Sequence, residues 1–183
     1  MTRGEKVCQF IETFCPVPEG KLVGQPLVLM SFQKKFICDI YDNPKGTSRA
    51  YLSVGRKNGK SALIAGILLA HLVGPEARTN SQIISGARSR DQASLVFKLA
   101  EKMVRLSPRL SQVVRVVPSQ KSLKGLPMNV EYKAISAEAG TAHGLSPVLA
   151  ILDEVGQVKG QQDAFIEAVE TAQGAHDDPL LIA

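Results

Sequence analysis

Residues Val54-Gly55-Arg56-Lys57-Asn58-Gly59-Lys60-Ser61 stand between a β-type run, Arg49 to Val54, and an apolar helix-forming run that begins at Ala62. This arrangement constrains the chain more than any other stretch. A strand that delivers a glycine-bearing turn to the start of a helix points backbone N–H groups, and the positive end of the helix dipole, at one small volume, which suits phosphate. Lys60 then supplies a point charge to the terminal phosphates, and the Ser61 hydroxyl supplies an oxygen to Mg²⁺. The usual spacing, Gly-x-x-x-x-Gly-Lys-Ser/Thr, would put its first glycine at Val54. Here it stands one place late, at Gly55, and Arg56 follows inside the loop, where a guanidinium can make bidentate phosphate contacts that a lysine cannot.

A phosphate loop alone binds nucleotide; hydrolysis also needs a carboxylate that anchors metal and a group that orients water. Val148 to Leu152 is a continuous apolar run of strand length that ends in Asp153 and Glu154, as expected of a strand buried on both faces of a parallel sheet. Ligands of such sheets sit beyond the carboxyl ends of the strands. Asp153 is therefore expected to hold Mg²⁺, directly or through water, and Glu154 to polarise the attacking water.

Alternating strand and helix patterns predict an α/β sheet with helices on its faces. Ser61 to Val73 reads as the first core helix, stopped by Gly74 and Pro75. Gln82 to Ala87 reads as a short strand, and Arg90 to Leu106 as a helix with Ala93, Val96, Ala100 and Met103 on its inner stripe. Val113 to Val117 and Asn129 to Ala134 read as a strand pair around a Pro118 to Pro127 loop. Gly140 to Pro147 reads as a loop, Leu149 to Leu152 as a strand and Gln161 to Thr171 as a helix. Leu180 to Ala183 reads as the start of another buried strand. Because that run stops after four residues, the chain is expected to be the N-terminal piece of a longer polypeptide, poorly soluble or partly molten when expressed alone.

Charge is distributed unevenly. Residues 45–124 hold fifteen Lys/Arg and three Asp/Glu, whereas residues 125–183 hold two and nine. Arg56, Lys57 and Lys60 belong to the loop. The excess that remains, including Arg88, Arg90, Lys98, Lys102, Arg105, Arg109, Arg115, Lys121 and Lys124, suits either a solvated face or a nucleic-acid backbone. With three tyrosines and no tryptophan, base stacking on aromatic platforms is not the expected mode. Ala62 to Val73, the longest apolar stretch, is too short to span a bilayer, and no signal-peptide core precedes Phe14. Cys8, Cys15 and Cys38 form no Cys-x-x-Cys pair and read as reduced, packed thiols; His71, His143 and His176 are too scattered for a ligand cluster.

These elements together resemble the ATPase domain of the large terminase subunit of tailed double-stranded DNA phages. The resemblance rests on Phe32-Gln33 as an upstream glutamine motif, the loop from Arg56 to Ser61 with its arginine and displaced first glycine, Ala142-His143-Gly144, the Leu149 to Glu154 acidic strand, and Thr171 to Gly174 leading to the last strand. It implies a P-loop NTPase of the additional-strand type, mostly parallel and flanked by helices, with the strand after the acidic pair lying between the loop strand and the acid strand. Residues 1–183 would form the N-terminal motor domain, with the coupling motif and the nuclease domain beyond Ala183.

The implied activity is ATP hydrolysis that drives double-stranded DNA through a portal into a procapsid. The motor would work as a ring homo-oligomer with the portal protein and the small terminase subunit, in the cytoplasm of the bacterial host and without a membrane. Gln33 would read adenine through its amide; Gly55, Arg56, Lys57, Asn58, Gly59, Lys60 and Ser61 would bind ATP; Ser61 and Asp153 would hold Mg²⁺; Glu154, Lys60 and Arg56 would serve the reaction. Some relatives carry arginine where this chain has His143, which leaves Arg88 or Arg90 as candidates for a trans-acting arginine. Two other readings fit the loop: a different nucleic-acid ATPase such as a helicase, and a nucleotide-binding interaction module without turnover.

Overall fold

The computed structural model describes the chain apart from residues 56, 88, 137–143 and 154–160, and the side chains of 161–164. The N-terminal helices are α1 (Arg3–Phe14) and α2 (Ser31–Tyr41). Thr2 and Glu5 form a reciprocal capping box that fixes the start of α1. The two helices touch closely at Gly4, where an added Cβ would lie 2.8 Å from the Cys38 Cα. Asp42, at the end of α2, accepts the Gly4 N–H at 2.8 Å, and this bond holds its carboxyl below the usual range. The three cysteines are free thiols, Cys8 and Cys15 buried and Cys38 partly so.

Strand β1 (Arg49–Ala50) leads through residues 51–59 into α3 (Lys60–Val73). After β2 (Gln82–Ala87), α4 (Arg90–Leu106) and α5 (Pro108–Val113) come β3 (Val114–Val117), β4 (Ser122–Gly125), β5 (Val130–Ser136) and β6 (Pro147–Leu152). Helix α6 (Gln161–Gln173) and β7 (Leu180–Ile182) complete the described order. The seven strands form one sheet in the order β1-β7-β6-β2-β5-β4-β3. The run from β1 to β5 is parallel, and β4 and β3 are antiparallel additions.

Helix α3 is buried on nearly every side from Leu63 to Leu72, which its apolar composition requires. It packs with α1 and α4 on one face of the sheet, above Ile83, Leu149, Ile151 and Ile182. On the opposite face Phe165, Ile166 and Val169 of α6 cover Ile84, Ala150, Leu152 and Leu181. Every residue of β6 is buried, as a central parallel strand demands.

Several expectations need correction. The Arg49 to Val54 run forms only a two-residue strand, whose neighbour among the described strands is the short β7; the Leu52 N–H donates to the Ala183 carbonyl beyond it. Segments 113–117 and 129–134 are not paired with each other. Within the expected Pro118 to Pro127 loop, Ser122–Gly125 forms β4 and lies between them. Ser107 does not simply end α4: its side chain caps α5, with Pro108 in the first turn. The helix expected from Ser61 starts at Lys60, and the one expected to end at Thr171 runs to Gln173. Of the Gly140 to Pro147 loop, residues 140–143 lie outside the described residues, and Pro147 already belongs to β6.

Candidate nucleotide site

Gly59 sets up the start of α3. It adopts φ 70°, the left-handed region, at the cap of α3, and no side chain caps that end. By contrast Thr2, Ser89 and Ser107 cap α1, α4 and α5. The first-turn N–H groups of α3 thus face outward without a protein acceptor from a cap, which leaves them available to an anion. Lys57 also takes a positive φ of 68°, and Asn58 Nδ2 donates to the Gly55 carbonyl at 3.1 Å, closing the turn from within.

Beyond the carboxyl end of β6, Asp153 donates its backbone N–H to Gly86 of β2. This fixes its carboxylate 3.7 Å from the Lys60 ammonium. Lys60, Ser61 and Asp153 line one cavity of about 600 Å³ together with Gly55, Lys57, Asn58 and Gly59, a volume inside the roughly 300–1,000 Å³ range of small-molecule sites. The Ser61 hydroxyl and the Asp153 carboxylate offer hard oxygen donors, the kind that magnesium accepts beside water and phosphate. Among the described residues no cluster of three His, Cys, Asp or Glu side chains stands ready to hold a metal alone.

Gln33 is buried at 3% exposure in the first turn of α2 and reaches the segment before α3. Its Oε1 accepts the Met30 N–H at 2.9 Å and its Nε2 reaches the Asn58 carbonyl at 3.5 Å. A Cβ on Gly59 would lie 3.2 Å from that Nε2, so glycine is favoured there by its positive φ and leaves room for the amide. Arg56, Glu154, Arg88 and His143 lie outside the described residues. Arg90 opens α4 on the surface.

The residues that sequence reasoning missed are Val17, Pro18, Leu95 and Leu99, which wall the same cavity. Leu95 and Leu99 are four apart and lie off the buried stripe of α4, a pattern present in the sequence. Their meeting with Val17 and Pro18 is tertiary and leaves no local signal.

The family model for the terminase large subunit ATPase domain matches residues 31–180, a span holding both the loop and the acidic strand. The chain belongs to that family. It is 68% identical over 182 residues to "Terminase, large subunit" of Enterobacteria phage HK97, covering 100% of this chain and 36% of that protein. The crystal structure of the HK97 large terminase superposes with a TM-score of 0.91 at 65% identity, over 100% of this chain and 37% of that one. The Thermus phage P74-26 large terminase ATPase domain shares the fold, with a TM-score of 0.62 at 22% identity over 85% of this chain and 64% of that one. Terminase ATPase membership carries an ATPase role in general terms. The seven-stranded architecture is that of the family, with β7 between the loop strand β1 and the acid strand β6 as the additional-strand arrangement requires. No described helix is long and apolar enough to cross a membrane.

Proposed function

We propose that this terminase domain hydrolyses ATP to drive double-stranded phage DNA into procapsids. The carrying observation is the 3.7 Å approach of Lys60 to Asp153 at the uncapped start of α3. The triphosphate lies along the loop from Gly55 to Ser61, with Lys57, Asn58 and Gly59 contributing backbone, Lys60 its charge and Arg56 a second cation. Ser61 and Asp153 would hold Mg²⁺, which would supply charge neutralisation to the phosphates. Glu154 orients the attacking water. Gln33 belongs to the nucleotide-binding set, in its place beside the Gly59 turn.

The DNA part of the reading is supported by the basic middle of the chain. Lys102 pairs with Glu19, Arg105 pairs with Glu101, and Arg109 lies over the Phe14 ring. Arg115 and Lys124 stand directly opposite each other on β3 and β4, both exposed. Neither they nor Lys98 and Lys121 has an ion-pair partner among the described residues. Lys124 also stands opposite the exposed Glu131 on β5, which balances part of this charge, and an anionic backbone would balance the remainder. The working assembly is a ring homo-oligomer with the portal protein and the small terminase subunit, at the procapsid portal in the host cytoplasm. Nuclease activity is not expected from these residues.

Single-turnover hydrolysis tests the roles. Lys60→Ala is expected to lose ATP affinity at least tenfold, whereas Glu154→Gln should bind ATP normally and cleave it at least a hundredfold more slowly. Equal turnover in both variants and the parent refutes the assignment.

A further inference from the structure

Helices α1 and α2 run antiparallel, and two links fix how they meet. At one end the Gly4 N–H donates to the Asp42 carboxylate at 2.8 Å, and toward the other Glu12 pairs with Lys34 at 3.2 Å. Cys8 and Cys38 fall between these links, each one turn from both on its own helix. Gly4 lies against Cys38: an added Cβ would be 2.8 Å from the Cys38 Cα and 3.1 Å from its Sγ. Cα–Cβ bonds tilt toward the start of their own helix. In this antiparallel pair Cys8 therefore leans back toward Gly4 and Cys38 toward Lys34, and the two thiols come within hydrogen-bonding reach of each other.

The pair is open to small molecules on one side. Cys8, Cys38, Glu5, Gln9, Thr13 and Lys34 line a groove of about 340 Å³, and Cys38 is the more exposed of the two thiols. Cys15, by contrast, is sealed in the core at 1% exposure. Burial, and next the neighbouring Cys38, push the Cys8 thiol up to about 11; burial and Asp42 raise Cys38. Neither is an activated nucleophile. What distinguishes the pair is that each thiol stands ready as the other's partner.

We infer that Cys8 and Cys38 form a dithiol site that takes small disulfides and closes into a reversible bridge between α1 and α2. The Cys38 thiolate attacks one sulfur of the small disulfide, forms a mixed disulfide and expels one thiolate. Cys8 then gives up its proton, attacks the Cys38 sulfur and expels the second thiolate. The reagent's S–S bond is reduced, one S–S bond forms in the protein, and the two protons end on the two released thiols. Where glutathione keeps thiols reduced, such a bridge is transient rather than permanent. Closed, it would pin α2, the helix from which Gln33 reaches the Asn58 carbonyl.

Equilibration of the full chain with reduced and oxidised glutathione at about pH 8.5, where exchange is brisk, followed by acid quenching and peptide mapping, reads the bridge directly. The expected product joins residues 8 and 38, is lighter by two hydrogens and leaves Cys15 reduced. Its equilibrium constant against glutathione should be at least about thirtyfold larger in the folded chain than in urea, the scale on which a native bridge favours a fold. Cys8→Ser should stop the reaction at a mixed disulfide on Cys38, an adduct that does not accumulate in the parent. Cys38→Ser should leave the less exposed Cys8 unmodified. A mixed disulfide that persists in the folded parent, a bridge to Cys15, or a folded-to-denatured ratio below thirtyfold overturns the site.

Discussion

His71 carries a titratable ring into the least hydrated part of the molecule. It is 3% exposed on α3, with Nε2 2.7 Å from the Tyr41 hydroxyl and Nδ1 without a hydrogen-bond partner among the described residues. Burial, reinforced by the nearby Arg78 and Arg3, pushes its pKa down to about 3, against about 6.5 in an unfolded chain. Between these values the unfolded chain binds a proton that the folded one refuses. The contribution is complete above about pH 6.5, is lost as pH falls toward 3, and levels off below that. The slope reaches about 1.4 kcal/mol per pH unit. Denaturant unfolding from pH 7 to pH 4.5 should therefore show a steeper acid loss for the parent chain than for His71→Gln. Parallel profiles would mean that the ring is protonated in the folded state. Nothing in the local sequence marks His71 as buried, apart from its place in the apolar run that forms α3.

At the scale of elements, the strand β4 depends on a residue with no side chain. Gly125 passes so close to the end of α3 that a Cβ would lie 2.3 Å from the Leu72 carbonyl oxygen and 3.1 Å from its carbon. These are backbone atoms, held by a helix that the core surrounds. Gly125→Ala is expected to destabilise the domain by about 3 kcal/mol, at the upper end for an overpacked position, while the exposed neighbour Lys124→Ala should change the melting temperature little. Equal melting of the two variants would show that the helix end yields freely. This contact also explains why β4 was illegible. Ser122-Leu123-Lys124-Gly125 carries a charge and a glycine between prolines, and only pairing with β3 and β5 makes it a strand. The Gln82 and Arg90 segments were legible to the residue because a short β-type run and a period-3.6 stripe are local signals. In the candidate site, the loop and Asp153 were legible because motif and strand sit in short windows. The engagement of Gln33 with Met30 and Asn58 was not, since it depends on where α2 meets the loop.

For the whole molecule, charge supports the prediction that uses most of the surface. Duplex DNA binding should weaken steeply with salt and vary little with sequence, because phosphate contacts release counterions. Replacing Arg115 and Lys124 together by alanine should lower the magnitude of the log–log salt slope by about two. An unchanged slope would place the DNA elsewhere. The order of the sheet has a consequence of another kind. Leu180–Ile182 is synthesised after every other described strand, yet its slot is interior, between β1 and β6. Until Leu180–Ile182 has emerged from the ribosome, the edges of β1 and β6 that it joins lack their partner strand. During synthesis, translation speed past α6 governs how long this half-built sheet is exposed to strands from other nascent chains.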